Sequence, residues 1–150
     1  MYKRILVPVD GSETSNKAVV AALQLARESG GRVRLLHALD ELAYLTGYEY
    51  SGDLLKVARD YAQKVLDDAL AMAQSAGIPA DTKLLDVPGG RLGELVSEEA
   101  RSWEADLVVV GTHGRRGIGR VLLGSGAEQV IRLAPVPVLA VRGGEAATQG

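Results

Sequence analysis

Cysteine is absent from these 150 residues. Disulfides, thiolate nucleophiles and cysteine-based zinc sites are excluded with it. A cysteine-free chain fits a reducing compartment. Phenylalanine is absent too, tryptophan occurs once, and aromatics make up only 4%. The core must therefore be built from Val, Leu, Ile and Ala. That composition suits parallel strands buried on both faces by Ala-rich helices. An excess of positive charge is also missing. The formal net charge of -2 argues against a protein that coats nucleic acid. No apolar run approaches the roughly 20 residues that span a bilayer. The opening apolar run is broken by Pro8, closed by Asp10, and too short for a secretory signal. The expectation is a cytoplasmic protein with no nucleic-acid partner and no membrane insertion.

What is present is enough for one domain. Hydrophobic residues make up 47% and charged residues 24%, ordinary values for a single globular core of this length. We expect a domain over residues 1–143 and a flexible tail over 144–150, which is small and polar.

The pattern along the chain alternates. Residues 4–10 (RILVPVD) read as a first strand. Ser12 is then a suitable N-cap, and Glu13 suits a first helical turn. Ala18, Ala22 and Leu25, with Val19, Leu23 and Ala26, mark a helix face that ends at Gly30-Gly31. Residues 32–39 (RVRLLHAL) read as a second strand, and residues 40–52, holding Tyr44, Tyr48 and Tyr50, as a loop or lid. Leu54, Val57, Tyr61, Val65, Ala69 and Met72 fall at helical spacing in a long helix stopped by Gly77 and Pro79. Strands at 81–87, 106–111 and 136–142 and helices at 91–103 and from about 125 complete the chain. This βαβαβαβαβ order predicts an α/β fold, Rossmann-like, with an open, mostly parallel five-stranded sheet and helices on both faces. Ligands in such sheets sit beyond the carboxyl ends of the strands, where the strand order reverses.

Two loops at such ends stand out. The first is Pro8-Val9-Asp10-Gly11-Ser12. The second is Gly111-Thr112-His113-Gly114, followed after nine residues by Gly124-Ser125. Glycines let backbone approach a ligand. A helix opening at Gly124-Ser125-Gly126 offers free N–H groups and a positive dipole end to an anion. Arg115, Arg116 and Arg120 add positive charge. A phosphate chain fits this arrangement. So does a plain structural reading: Ser125 and Glu128 match a capping box, the glycines serve as turns, and the arginines form a solvated face. No GxxxxGK[ST] is present, and the glycines do not follow GxGxxG spacing after the first strand. His37 lies in a strand and reads as structural, whereas His113 in the glycine loop is a site candidate. Two lone histidines do not make a metal site.

The second loop resembles the ATP-binding signature of the universal stress protein family. The segments Ile5-Leu6-Val7-Pro8-Val9-Asp10-Gly11-Ser12, Leu35-Leu36-His37-Ala38 and Pro137-Val138-Leu139-Ala140-Val141 resemble that family's first, second and last strands. The likeness runs over about residues 2–142. It implies that Asp10, with Pro8 and Val9 beside it, holds ribose hydroxyls. It also implies that Ala38 offers backbone to adenine. Gly111, His113, Gly114, Gly124, Ser125 and Gly126 would wrap ribose and phosphates, with Arg115 as a phosphate contact. Two positions depart from the family pattern: Gly126 stands where a larger residue is common, and Ala38 where a bulkier aliphatic is usual.

The implied cofactor is ATP, with Mg2+ held mainly through its phosphates. The implied assembly is a homodimer through the last strand, at Val136, Val138, Leu139, Ala140 and Val141. The leading expectation is a regulatory or stress-response ATP-binding protein with slow hydrolysis at most. An ATPase or nucleotidyl transferase using Asp10 and the Gly/Arg loop is a second reading. A nucleotide-free dimeric interaction module is a third.

Overall fold

The computed structural model describes residues 2–39, 52–87, 90–112 and 125–142. The loop expected over 40–52 falls almost wholly outside these residues, as do the tail over 144–150 and the signature positions His113, Gly114, Arg115 and Gly124.

Five strands form one parallel sheet: β1 (Arg4–Pro8), β2 (Arg32–Ala38), β3 (Ala80–Leu85), β4 (Leu107–Gly111) and β5 (Val138–Val141). The helices between them are α1 (Glu13–Ser29), α2 (Gly52–Ala76), α3 (Leu92–Ser102) and α4 (Ser125–Leu133). The expected alternation is borne out. The strand order, β3-β2-β1-β4-β5, is supplied by the structure. Among the described residues no helix is long and apolar enough to cross a membrane.

Strand alternation divides the core into two layers. Ile5 and Val7 of β1, with Val33 and Leu35 of β2, pack under α1 and α2. Leu6, Leu36, Val108 and Val110 point the other way, under α3 and α4. Because both faces are covered, the central strands read as unbroken apolar runs.

The ends of the elements have identifiable causes. Ser12 caps α1: its Oγ accepts the Ser15 N–H at 3.2 Å, an interaction worth about 1 kcal/mol. Gly30 closes the helix at φ 72°, a left-handed conformation that favours glycine. β1 stops at Pro8, short of Asp10, because the Asp10 N–H leaves the ladder and donates to Ser15 Oγ at 3.1 Å. β3 stops at Leu85, short of 87, because its partner β2 ends at Ala38 opposite it. β5 starts at Val138, after Pro137, which has no N–H to give the ladder but whose carbonyl accepts from Val108 at 3.0 Å.

The amino end of the sheet is tied by charge. Arg34 reaches Asp81 through two hydrogen bonds, at 2.9 and 2.8 Å, and Glu99 at 2.7 Å. This fork holds the Asp81 carboxyl below its usual range against the cost of its partial burial. The guanidinium groups of Arg4 and Arg34 lie over the buried Trp103 ring, 4.5 and 4.8 Å from its centroid. The lone tryptophan therefore pins α3 to β1 and β2, far from the carboxyl ends of the strands.

Candidate nucleotide site

The strand order makes the chain run outward from β1 through β2 to β3, then cross to β4 on β1's other side. The order thus reverses between β1 and β4. A cavity of about 520 Å3 opens there, within the range of roughly 300–1,000 Å3 for small-molecule sites. Its floor is the carboxyl ends of β1, β2 and β4, and its walls come from α1, α3 and α4.

Of the site residues expected from sequence, Pro8, Val9, Asp10, Ala38, Gly111 and Gly126 all line this cavity. The end of β1 and the end of β4, about 100 residues apart in sequence, meet across it. Ser125 is the first residue of α4, so it lies inside the helix rather than in the capping position before it. Val9 is only 5% exposed and belongs to the α1–α2 core layer. It can offer the cavity backbone but not side chain.

Asp10 is exposed and tightly set. Its Oδ1 accepts the Ser12 N–H at 2.9 Å, a side-chain turn that also leads into α1. An ionised carboxylate has about four acceptor positions, so one such bond leaves capacity for a ligand.

The glycines have packing reasons that differ from simple access. A Cβ on Gly111 would lie 2.6 Å from the Thr14 carbonyl oxygen and 2.8 Å from its carbon. Glycine here lets β4 touch the backbone of α1. A Cβ on Gly126 would lie 2.7 Å from Leu92 Cδ2, and one on Gly93 only 2.2 Å from Gln129 Cβ. The Gly93 N–H also donates to Gln129 Oε1 at 3.1 Å. Gly126 thus lets α4 sit close against Leu92 of α3. Both contacts fix where the amino end of α4 points.

Sequence reasoning missed several lining residues: Ser12, Thr14, Ser15, His37, Leu92 and Val130. The hydroxyl run at 12–15 was a usable signal. Leu92 and Val130 were legible only as core positions until the strand order placed α3 and α4 on one face. His37 is half-buried, and its Nδ1 lies 2.7 Å from the Val9 carbonyl oxygen. Next to the site, Thr112 is 3% exposed and its hydroxyl has no hydrogen-bond partner among the described residues. Among those residues no group of three or more His, Asp or Glu side chains could hold a metal ion.

Comparison with known proteins agrees with this fold. The model of the universal stress protein family matches residues 1–142. A universal stress protein from Thermus aquaticus is 34% identical over 142 residues, which is 95% of this chain and 100% of the relative. Among solved structures, a universal stress protein from Archaeoglobus fulgidus in complex with dAMP is 25% identical with a TM-score of 0.72. The match covers 93% of this chain and 98% of that one. A universal stress protein in complex with cAMP is 27% identical with a TM-score of 0.62, covering 95% and 98%. The alternation, the strand order and the match of the family model over residues 1–142 lead to one conclusion: this chain belongs to the universal stress protein family.

Proposed function

We propose that the chain binds an adenine nucleotide, ATP first among them, in the cavity between β1 and β4, and that it serves a regulatory or stress-response role with slow hydrolysis at most. The observation that carries this reading is the meeting of Asp10 and Gly111 across a cavity of suitable volume, with the amino ends of α1 and α4 turned toward it. Asp10 takes the ribose hydroxyls and the Ala38 backbone takes adenine. Helix N-termini favour phosphate charge, so the phosphates lie toward Ser125, Gly126 and the signature residues His113, Gly114, Arg115 and Gly124. Mg2+ enters with the nucleotide, held mainly by its phosphates. The complexes of two relatives with dAMP and cAMP support the adenine class. The described lining supplies Asp10 as its one carboxylate, which favours binding over fast phosphoryl transfer. A cytoplasmic setting goes with this reading.

The test is the content of the purified protein. After denaturation, the supernatant is expected to hold adenine nucleotide at close to one per chain, or the emptied protein to take up Mg-ATP by calorimetry. No nucleotide and no heat would sink the proposal.

The same reading includes a homodimer through β5. That strand is a sheet edge, and Leu139 on it is 41% exposed. An apolar edge of this kind invites pairing with a second copy. Sedimentation at micromolar concentration is expected to give a dimer mass, falling to the monomer in Leu139→Lys. A monomeric wild-type protein would end this part of the reading.

A further inference from the structure

We propose that His37 and Tyr61 are positioning residues, which clamp the two carbonyls of Val9 and Asp10 so that the Asp10 carboxylate meets ribose already oriented. The inference rests on the nucleotide reading above and assigns two further residues to that site.

Every backbone polar group of the Val9–Asp10 pair has a partner. The Val9 N–H donates to the Leu36 carbonyl at 2.7 Å, continuing the β1–β2 ladder. The Asp10 N–H donates to Ser15 Oγ at 3.1 Å. The two carbonyls are held from outside the loop: His37 Nδ1 donates to Val9 O at 2.7 Å, and the Tyr61 hydroxyl donates to Asp10 O at 3.1 Å. A carbonyl only accepts, so His37 must carry its proton on Nδ1. The clamp thus joins β2 and α2 to the end of β1. The two rings also meet edge to face, with centroids 6.4 Å apart.

Two features argue that this is more than core packing. Tyr61 is 55% exposed, so its hydroxyl had water available and its ring supports little of the core. Gly11, the next residue, sits at φ +83°, and a Cβ there would come 2.8 Å from the Tyr61 hydroxyl. The turn therefore leaves room for that hydroxyl to reach in. Asp10 itself is exposed, and an exposed carboxylate on an untethered loop must be ordered when ligand arrives. Fixing the backbone beforehand removes that ordering cost from binding.

The experiment measures affinity for ATP and for 2',3'-dideoxy-ATP, which offers Asp10 no hydroxyl, with thermal unfolding recorded for each variant. The wild-type protein is expected to prefer ATP by on the order of tenfold or more. Tyr61→Phe and His37→Gln should bring that preference close to unity by weakening ATP alone. His37→Asn carries an N–H at the position of Nδ1 and should restore most of it. A clamp acting only on stability would lower both affinities together, and that result would overturn the proposal. So would Gln and Asn behaving alike. A preference that survives in Tyr61→Phe and His37→Gln removes the clamp and leaves the nucleotide reading standing. A wild-type protein that takes neither nucleotide ends both.

Discussion

Gly111→Ala is expected to lower the melting temperature by roughly 5–10 °C and to weaken ATP at least tenfold. The new methyl would meet Thr14 backbone atoms at 2.6 and 2.8 Å. Backbone has no rotamer to yield, so β4 or the first turn of α1 must shift. Overpacking of this kind costs about 1–3 kcal/mol and occasionally more. In a domain of this size each kcal/mol is worth roughly 2–4 °C. The binding loss follows because α1 is a wall of the cavity and the end of β4 is part of its floor. Gly77→Ala is the comparison: φ there is +73°, but nothing lies within 4 Å of the added methyl. It should show only a left-handed backbone penalty of about 1–2 kcal/mol, with ATP affinity unchanged. Calorimetry and circular dichroism on the two variants decide the matter. Equal effects on binding would mean that the contact between β4 and α1 does not shape the site.

Asp10→Asn is expected to weaken ATP by roughly 10- to 100-fold while leaving unfolding almost untouched. Hydrogen bonds to a charged group contribute about 1.5–3 kcal/mol, and each 1.4 kcal/mol is about tenfold. The asparagine oxygen still accepts the Ser12 N–H, now at 2.9 Å from Asp10 Oδ1. The turn into α1 is thereby kept and only the charge is lost. Wild-type affinity in this variant would reduce Asp10 to a turn residue and leave the ribose without its acceptor.

These variants also mark the limits of the sequence. The element types were legible because they rest on local rules: Ser12 as cap, Gly30 as stop, and apolar runs for strands covered on both faces. The first site loop was legible because Pro8-Val9-Asp10-Gly11-Ser12 lies at a strand end. Gly111 was legible as a glycine that matters, yet its reason was not, since Thr14 lies nearly a hundred residues earlier and only the β1–β4 pairing brings the two together. Leu92 and Gly126 were separate for the same reason. Strand order depends on which crossover goes to which side, and no local pattern encodes it. His37 reads as structural in the sequence because it lies in a strand. Its partner Tyr61 sits on another element, at a position whose helical spacing suggested burial although the ring is exposed.

The pairing of β1 with β4 also sets an order of assembly. Asp106 accepts from the Lys3 N–H across 103 positions in the chain. A nascent chain emerging amino end first therefore cannot complete the pairing of its central strand until β4 has been made. At synthesis rates of about 5–20 residues per second, that pairing stays open for roughly 5–20 s. An apolar strand with unsatisfied N–H and C=O groups is a template for pairing with another chain. A nucleotide bound at the proposed site would offer no help in that interval, because the cavity exists only once both strands are present. A bound ligand would then stabilise the finished fold by mass action. Such a ligand would act as a latch on the completed molecule and not on the growing one.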